Sequence, residues 1–252
     1  MNKPFLKATV GLMAAFATAA VIAQSYMIPA DTAANIRRAV ESGERADAAR
    51  ARDAGRKPAH VLALSGIAEG DHVAELTSFG QYYTPMLVEA VGPSGMVEMY
   101  DLPALAAFQE GGVGRAGQAF ADARANANYT IVEYNNIMLP AGLDIVFNIL
   151  SYHDFPAMGV DPATLNAHVF NALAPGGRYV VIDHAAAAGS GWDVAGTIHR
   201  IEKSVIIDEV TSAGFELATD SDILAHPEDD HSSMVFAMRG DTDRSVLVFR
   251  KP

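Results

Sequence analysis

Residues 70–92 constrain the fold of this chain more than any other stretch. The sequence GDHVAELTSFGQYYTPMLVEAVG reads as a turn, a short buried strand that ends near Glu75, a tight loop over 77–81, and a helix over 82–91. Gly92-Pro93 then stops the helix. A strand that feeds a helix through a tight loop opens a doubly wound sheet, which binds ligands over the carboxyl ends of its strands. We therefore expect this loop to face a binding site.

Strand-like and helix-like segments alternate from Gly70 almost to the end of the chain. This alternation predicts an α/β fold with a doubly wound, mostly parallel sheet and helices on both faces. Further strands are predicted at 96–100, 129–134, 143–150, 178–182, 215–218 and 245–249, the last one antiparallel. A helix is predicted over 161–172 with Asp161 as its N-cap, and another over 205–213. The glycine-rich run 110–117 is interpreted as a flexible loop rather than a phosphate cradle, because no strand precedes it.

Composition limits the classes of partner. The chain has 252 residues and is 50% hydrophobic, which suits one globular domain with a substantial core. It has no cysteine, so disulfides and thiolate metal sites do not occur. A net charge of −12 argues against nucleic acid as a partner.

The first residues have the pattern of a secretory signal peptide. Lys3 and Lys7 precede an apolar run over 8–22, which is shorter than the ~20 residues of a spanning helix. Ala23 offers a cleavage point, so Met1–Ala23 is predicted to be removed. The mature protein is then expected in the periplasm or outside the cell, without a stable membrane anchor; an uncleaved N-terminal anchor is the alternative.

Residues 24–56 are predicted to form a helical extension that precedes the main domain at 57–252. Asp31 is the expected N-cap of a helix from Thr32. The segment 44–56 mixes four arginines with three acids and is interpreted as a solvated helical face. Contact between these arginines and an anionic ligand is the alternative.

Polar residues follow the predicted strands at their carboxyl ends. Glu75 and Asp101 close the first two strands, and an acid about 20 residues beyond the loop binds ribose hydroxyls in dinucleotide-type sites. A helix-capping role is an equally good interpretation of Asp101. Tyr152-His153-Asp154 follows the fourth strand and Asp183-His184 the fifth. Because a helix crossover joins these two strands, we expect them to be neighbours.

His199-Arg200 lies in the segment 197–201, which is predicted to open the next helix and to return over the same edge. A histidine beside a carboxylate is a natural general base near neutral pH. The cluster is therefore a candidate catalytic site. The alternative is that His153 and Asp154 only cap a helix or fasten a loop.

A metal site is the less favoured interpretation of the histidines. His153, His184 and His199, with Asp154 or Asp183, are a ligand set suited to zinc or iron. No local His-x-x-x-His spacing supports it, so no metal is predicted. The acidic run 228–231 is interpreted as a solvated loop.

Several of these segments resemble class I S-adenosylmethionine (SAM) methyltransferases. Glu75–Thr84 resembles the first motif of that superfamily, Asp101 its second-motif acid, and Leu173-Ala174-Pro175-Gly176-Gly177 the turn before its fifth strand. The resemblance is closest to a bacterial group of exported, predicted methyltransferases, and it covers about residues 53–252. Asp183-His184-Ala185, His199-Arg200-Ile201 and the ending 240–252 carry it further.

The resemblance implies a seven-stranded Rossmann-like methyltransferase sheet, with SAM as cofactor and an unidentified small molecule as methyl acceptor. It implies cofactor-binding roles for Glu75, Thr77, Gly80, Tyr82, Asp101, Asn135 and Asn148. It implies catalytic roles for Tyr152, His153, Asp154, Asp183, His184, His199 and Arg200. His153 or His184 would then take the acceptor's proton.

The loop after the first strand departs from the family pattern. Ser78, Phe79 and Gln81 stand where proline and two glycines are expected. Glycines in such loops reach positive φ and let the backbone approach the ligand closely. The alternative function is therefore a methyltransferase-fold protein that no longer uses SAM, either a binding protein or a hydrolase or lyase that uses the three histidines. The sequence predicts neither the substrate nor the oligomeric state.

Overall fold

The computed structural model of this chain describes residues 26–238 and 240–252. The predicted signal peptide and its cleavage point lie outside the described residues. Within the described part of the chain, no helix combines the length and apolar character that crossing a bilayer requires.

One seven-stranded sheet forms the centre of the molecule. Its strands are β1 His72–Leu76, β2 Met96–Asp101, β3 Ala127–Ile131, β4 Leu143–Ile149, β5 Leu173–His184, β6 Glu216–Ser221 and β7 Arg244–Arg250. Their order is β3-β2-β1-β4-β5-β7-β6; β7 runs antiparallel to both neighbours, and all other pairs are parallel. The strand order reverses between β1 and β4, which is where open α/β sheets bind ligands. The predicted architecture is confirmed.

Helices cover both faces of the sheet. They are α1 Ala34–Glu41, α2 Asp47–Arg50, α3 Asp53–Arg56, α4 Pro58–Ser65, α5 Thr84–Val91, α6 Pro103–Ala106, α7 Phe108–Asp122, α8 Pro162–Ala172, α9 Ala195–Ile198 and α10 Lys203–Ser212. The predicted start of α8 is confirmed, because Asp161 accepts a hydrogen bond from the Thr164 amide and Pro162 occupies the first turn.

Strand β4 shows why the core has two layers. Ile145 and Phe147 pack into the core on one face, whereas Val146 packs into the core on the other. This alternation is that of a strand, and burial on both faces explains why the run is mostly apolar. Burying each such side chain contributes about 1.5–3 kcal/mol. The carboxyl end of β4 is therefore a rigid platform for the loop that follows it.

The N-terminal extension differs from its prediction in two ways. Helix α1 begins at Ala34 with Ala33 as its N-cap, because a turn closed by the Thr32 amide and the Pro29 carbonyl occupies the expected start at Asp31. The segment 44–56 is solvated only in part: Glu44, Asp47 and Arg52 are exposed, but Arg45 and Asp53 are buried. Arg45 is 3% exposed, and its guanidinium donates two hydrogen bonds of 2.8 and 2.6 Å to Asp53.

The prediction of a flexible loop over 110–117 is wrong, because this run lies inside α7. Positive φ at Gln109, Glu110 and Gly111 kinks the start of the helix. Gly117 is buried against β3, where a Cβ atom would lie 2.5 Å from the Tyr129 ring. A glycine here therefore permits close packing between helix and strand rather than flexibility.

Three predicted boundaries also need correction. Strand β3 ends at Ile131 and not at residue 134, and β6 runs to Ser221 rather than 218. The segment 197–201 does not open a helix. Helix α9 ends at Ile198, His199 adopts a φ of 58°, and Ile201 forms a bridge with Ala185 before α10 begins.

Candidate active site

The carboxyl edge of the sheet carries two groups of polar side chains. We call the ends of β1, β2 and β3, with the loop 77–81, the nucleoside half, because the sequence predicts that Asp101, at the end of β2, binds a ribose. We call His153, Asp154, Asp183 and His199 the histidine centre. They come from the loop after β4, from the carboxyl end of β5 and from the residue after α9.

Short contacts join the four members of the histidine centre. Nδ1 of His153 lies 2.6 Å from Asp183 Oδ1. Nε2 of the same ring lies 3.2 Å from Asp154 Oδ1 and 3.3 Å from His199 Nδ1. The His199 Nδ1 atom is 2.9 Å from Asp154 Oδ1. The structure thus brings together side chains that are 46 positions apart in the chain.

Unusual backbone conformations present these side chains. Leu150, directly after β4, has a φ of 58°, and the turn Tyr152–Asp154 follows it. His199 has the same φ of 58°. Such conformations are uncommon outside glycine and cost on the order of 1–3 kcal/mol, and they concentrate at functional sites. The surrounding packing therefore holds both histidine-bearing segments in strained positions.

Asp183 fixes the orientation of His153. Its carboxylate is 1% exposed and accepts from His153 Nδ1, from the His153 amide at 2.8 Å and from the His184 amide at 2.7 Å. With Nδ1 committed to Asp183, the second nitrogen of the ring, Nε2, faces Asp154 and His199. A buried carboxylate that orients an imidazole is the arrangement found in acid–base and metal sites.

Charge within the centre favours protonated His153. Burial alone lowers its pKa, but the carboxylates of Asp183 and Asp154 outweigh burial and raise the pKa of His153 to about 10. Burial likewise disfavours ionised Asp154, yet His153 and His199 hold the pKa of Asp154 below its ordinary value. His153 and Asp154 therefore stabilise each other's charged forms.

His184 lies beside the centre but is bonded elsewhere. Its ring centroid is 6.0 Å from that of His153, while its Nδ1 lies 2.8 Å from Thr242 Oγ1. Burial lowers the pKa of His184 to about 3. His184 is therefore a neutral wall of the site at physiological pH.

Arg200 does not enter the cleft that its sequence position predicted. It is fully buried, and its guanidinium donates to both carboxylate oxygens of Asp229 at 2.8 and 3.1 Å. It also donates to the Ala185 and Ser233 carbonyls. The left-handed backbone at His199 separates the directions of the two neighbouring side chains. Arg200 is thus a structural residue that holds the loop 229–233.

Tyr152 also points away from the centre. Its buried hydroxyl donates to Glu209 at 2.7 Å and accepts from Asn166 at 2.8 Å, and its ring stacks on Trp192. Asn148 is buried too; it donates to the Tyr179 hydroxyl and accepts from Ser151. The polar groups of both side chains bond within the protein and hold the loop after β4 in place.

In the nucleoside half, Asp101 is already fully partnered. Its Oδ1 accepts from the Phe79 amide at 3.1 Å and its Oδ2 from the Tyr129 hydroxyl at 2.9 Å. The carboxyl is 1% exposed, and burial raises the pKa of Asp101 to about 6 against these hydrogen bonds. The aromatic rings of Phe79 and Phe108 meet edge to face on the surface of the loop, 5.7 Å apart.

Glu75 and Thr77 are similarly occupied. Glu75 accepts from Thr84 Oγ1 at 2.6 Å, and burial raises the pKa of Glu75 to about 8. The Thr77 amide donates to the Tyr134 hydroxyl at 2.7 Å, and this hydroxyl donates to the Tyr100 carbonyl at 3.0 Å. Polar groups at the end of β1 therefore bond within the protein.

Of the remaining predicted cofactor residues, Tyr82 is buried, whereas Asn135 and Gly80 are exposed. The Tyr82 hydroxyl donates to Asp53 at 2.6 Å, and the guanidinium groups of Arg52 and Arg56 lie over its ring. Asn135 is exposed, and its side chain bonds to the backbone of residues 159 and 161. Gly80 has a φ of 74°, and a Cβ added there would meet open space.

Sequence reasoning missed the side chains that close the nucleoside half. Tyr129 reaches Asp101 because β3 pairs in parallel with β2, with Tyr129 opposite Met99. Tyr134 reaches the loop from a turn after β3. The only available signal was a run of aromatic residues at 129–134, which was interpreted as strand propensity.

These contacts determine which polar groups the nucleoside half could offer to SAM. A ribose diol needs accessible acceptors, but both Asp101 oxygens are engaged and shielded from solvent. The loop amides of Thr77 and Phe79 are also committed within the protein. In the described conformation, the end of β2 therefore presents no exposed carboxylate to a ribose diol.

Comparison with known proteins shows the fold. No family model matches the sequence, and a search of curated proteins finds no match. A SAM-dependent methyltransferase from Aquifex aeolicus is 17% identical with a TM-score of 0.55, over 77% of this chain and 88% of that one. The [4+2]-cyclase SpnF is 14% identical with a TM-score of 0.55, over 79% and 82%. The protein has the class I methyltransferase fold, and its structural neighbours include SAM-dependent enzymes.

Proposed function

We propose that this protein is an enzyme that acts on a small polar molecule at the histidine centre, by hydrolysis or elimination and without SAM. The observation that carries the proposal is the buried Asp183 carboxylate, which bonds His153 Nδ1 and directs His153 Nε2 towards Asp154 and His199. Such a pair can move a proton at one defined atom. The side chains of Asp154 and His199 are 22% and 28% exposed, so a substrate can reach these two members of the centre.

The same residues have distinct tasks in this proposal. Asp183 holds the His153 ring and compensates its charge, as a buried carboxylate does in acid–base sites. His153 Nε2 faces Asp154 and His199, the two side chains that a substrate can reach. His199 and Asp154 bind the polar group of the substrate. His184, which is neutral, limits the access of water from the β5 side.

Two further observations agree with chemistry other than methyl transfer. Both carboxylate oxygens of Asp101 already accept hydrogen bonds within the protein, and one solved structure of similar fold is that of the [4+2]-cyclase SpnF. Export, which residues 1–23 predict, would also separate the protein from the cytoplasmic pool of SAM; it stays a prediction.

Methyl transfer from SAM is the second candidate function. The seven-stranded order with an antiparallel β7 favours it, because that topology is shared with the Aquifex aeolicus enzyme. His153 or His184 would then act on the acceptor. This candidate requires the Asp101 contacts to open when the cofactor binds.

Untargeted mass spectrometry of a metabolite extract distinguishes the two candidates. The extract is incubated with the protein, with and without added SAM, and also with the variant His153→Gln. We expect a metabolite that disappears without SAM and persists with His153→Gln. The matched control, His168→Gln, changes a partly exposed histidine outside the centre and should behave as wild type. Products that gain a CH₂ unit only when SAM is added would overturn the proposal.

A further inference from the structure

We infer that His153 Nε2, Asp154 Oδ1 and His199 Nδ1 form the three-ligand site of one divalent transition-metal ion of the zinc type. This inference deepens the proposed function and rests on it for its catalytic meaning. Metal binding itself can be measured without a substrate. The sequence favoured no metal here, because the ligands share no local spacing; the fold supplies the arrangement that the spacing lacks.

The separations of the three ligand atoms suit a small tetrahedral ion. The pairs are 3.2 Å for His153 Nε2 to Asp154 Oδ1, 2.9 Å for Asp154 Oδ1 to His199 Nδ1, and 3.3 Å for the two ring nitrogens. Two ligands about 2.0–2.1 Å from a tetrahedral zinc ion lie about 3.3 Å apart. An ion can therefore lie close to this triangle of atoms after shifts of a few tenths of an ångström.

The support around the ligands is that of a metal site. Asp183 accepts the Nδ1 proton of His153, so the ring keeps Nε2 free for the ion. Ligating histidines almost always donate their other N–H to a carboxylate, carbonyl or water, which fixes the ring. Two imidazoles and one carboxylate are also the ligand chemistry that zinc and iron(II) accept.

Charge in the centre also favours a cation. Asp154 and Asp183 bring two carboxylates into contact with the His153 ring, and the nearby guanidinium of Arg200 is bonded to Asp229 instead. With neutral imidazoles, the pair of carboxylates carries two negative charges in a half-buried place. A divalent ion at the triangle balances both charges.

One side of the triangle is open. The side chain of His153 is 3% exposed, whereas those of Asp154 and His199 are 22% and 28% exposed. Phe236, which is 70% exposed, lies against the His199 ring at 4.8 Å and forms a wall of this opening. Catalytic zinc sites combine three protein ligands with an open position for water. Water bound there would supply hydroxide for the hydrolytic branch of the proposed function.

Titration calorimetry of the full chain, treated with a chelator and then freed of it, tests the inference. Zn²⁺ should bind one ion per chain in the micromolar range or tighter, and Mg²⁺, which prefers oxygen ligands, should not compete. Co²⁺ should give visible absorption bands of a four-coordinate site that Zn²⁺ abolishes. The variants His199→Gln and Asp154→Asn should each weaken Zn²⁺ binding 100-fold or more, and Asp183→Asn about 10–100-fold.

The matched control is His231→Gln, which removes the histidine of a second exposed His–Asp pair, 3.0 Å from Asp243. It should leave Zn²⁺ affinity unchanged. Circular dichroism confirms that each variant is folded. Equal Zn²⁺ affinity in wild type and His199→Gln, or loss of affinity only in His231→Gln, overturns the metal site. Tight Zn²⁺ binding without metabolite turnover overturns the proposed function alone, whereas turnover in a protein that binds no metal overturns this inference alone.

Discussion

The two halves of the carboxyl edge are built on the same parallel strands but differ in how their polar groups are used. In the nucleoside half, Asp101 and Glu75 are buried and take their hydrogen bonds from within the protein. In the histidine centre, Asp154 and His199 stay partly exposed and face one atom of His153. The difference shows that a strand end positions a polar group, while its neighbours decide whether that group can meet a ligand.

The largest expected effect comes from Arg200, which lies next to the histidine centre but is bonded to Asp229. Replacing Arg200 by alanine leaves buried Asp229 unpaired, so we expect a loss of about 3–5 kcal/mol in the free energy of unfolding. Urea denaturation measures it. Arg250→Ala removes an exposed pair with Glu216 and should cost no more than about 1 kcal/mol. If the Arg200 variant were as stable as wild type, Arg200 would again be a candidate ligand-binding residue.

The second prediction uses the pH dependence of the nucleoside half. The pKa of Glu75 is raised to about 8 in the folded chain, so its contribution to stability is fully present below about pH 4.5 and is lost as the pH rises to about 8. Glu75→Gln should remove this loss and gain on the order of 2–4 kcal/mol over wild type at pH 9. Urea midpoints at pH 5 and 9 decide it. The exposed Glu228→Gln is the control, and parallel pH profiles for Glu75→Gln and wild type would show that Glu75 is accessible.

A smaller effect is expected at Tyr134. Its hydroxyl is the partner of the Thr77 amide, so Tyr134→Phe leaves that amide without a protein acceptor. The expected cost is about 1–3 kcal/mol in the free energy of unfolding. Amide hydrogen exchange should increase at residue 77 and stay unchanged in β4. Unchanged exchange at residue 77 would show that the loop is not closed by this contact.

The smallest effect tests the loop that replaces the glycine motif. Gln81 has a φ of 45°, which glycine adopts without strain, so Gln81→Gly should change stability by less than about 1 kcal/mol and in the stabilising direction. Phe79→Gly is the contrasting variant, because Phe79 does not have a positive φ and its ring contacts Phe108. Thermal melting compares the two. If Gln81→Gly destabilised the protein, contacts of the glutamine side chain would outweigh the relief of backbone strain at that position.

Much of the fold could be predicted, because it follows from local patterns. The run 143–150 is apolar apart from Asp144 and Asn148, as expected of a strand buried on both faces, and this placed β4 and the polar residues after it. The meeting of His153 with Asp183 followed from strand adjacency alone. The direction of Arg200 did not, because it depends on a left-handed His199 that no sequence pattern marks. The closing of Asp101 by Tyr129 depends on strand register, which a single sequence does not fix.

Calorimetric titration of the protein with SAM tests the contrast between the two halves most directly. With Asp101 and the loop amides engaged within the protein, the account predicts no saturable heat up to millimolar SAM, both in wild type and in Gln81→Gly. Stoichiometric binding in the micromolar range, about −8 kcal/mol, would contradict it, above all if Asp101→Ala abolished that binding in a protein that remains folded.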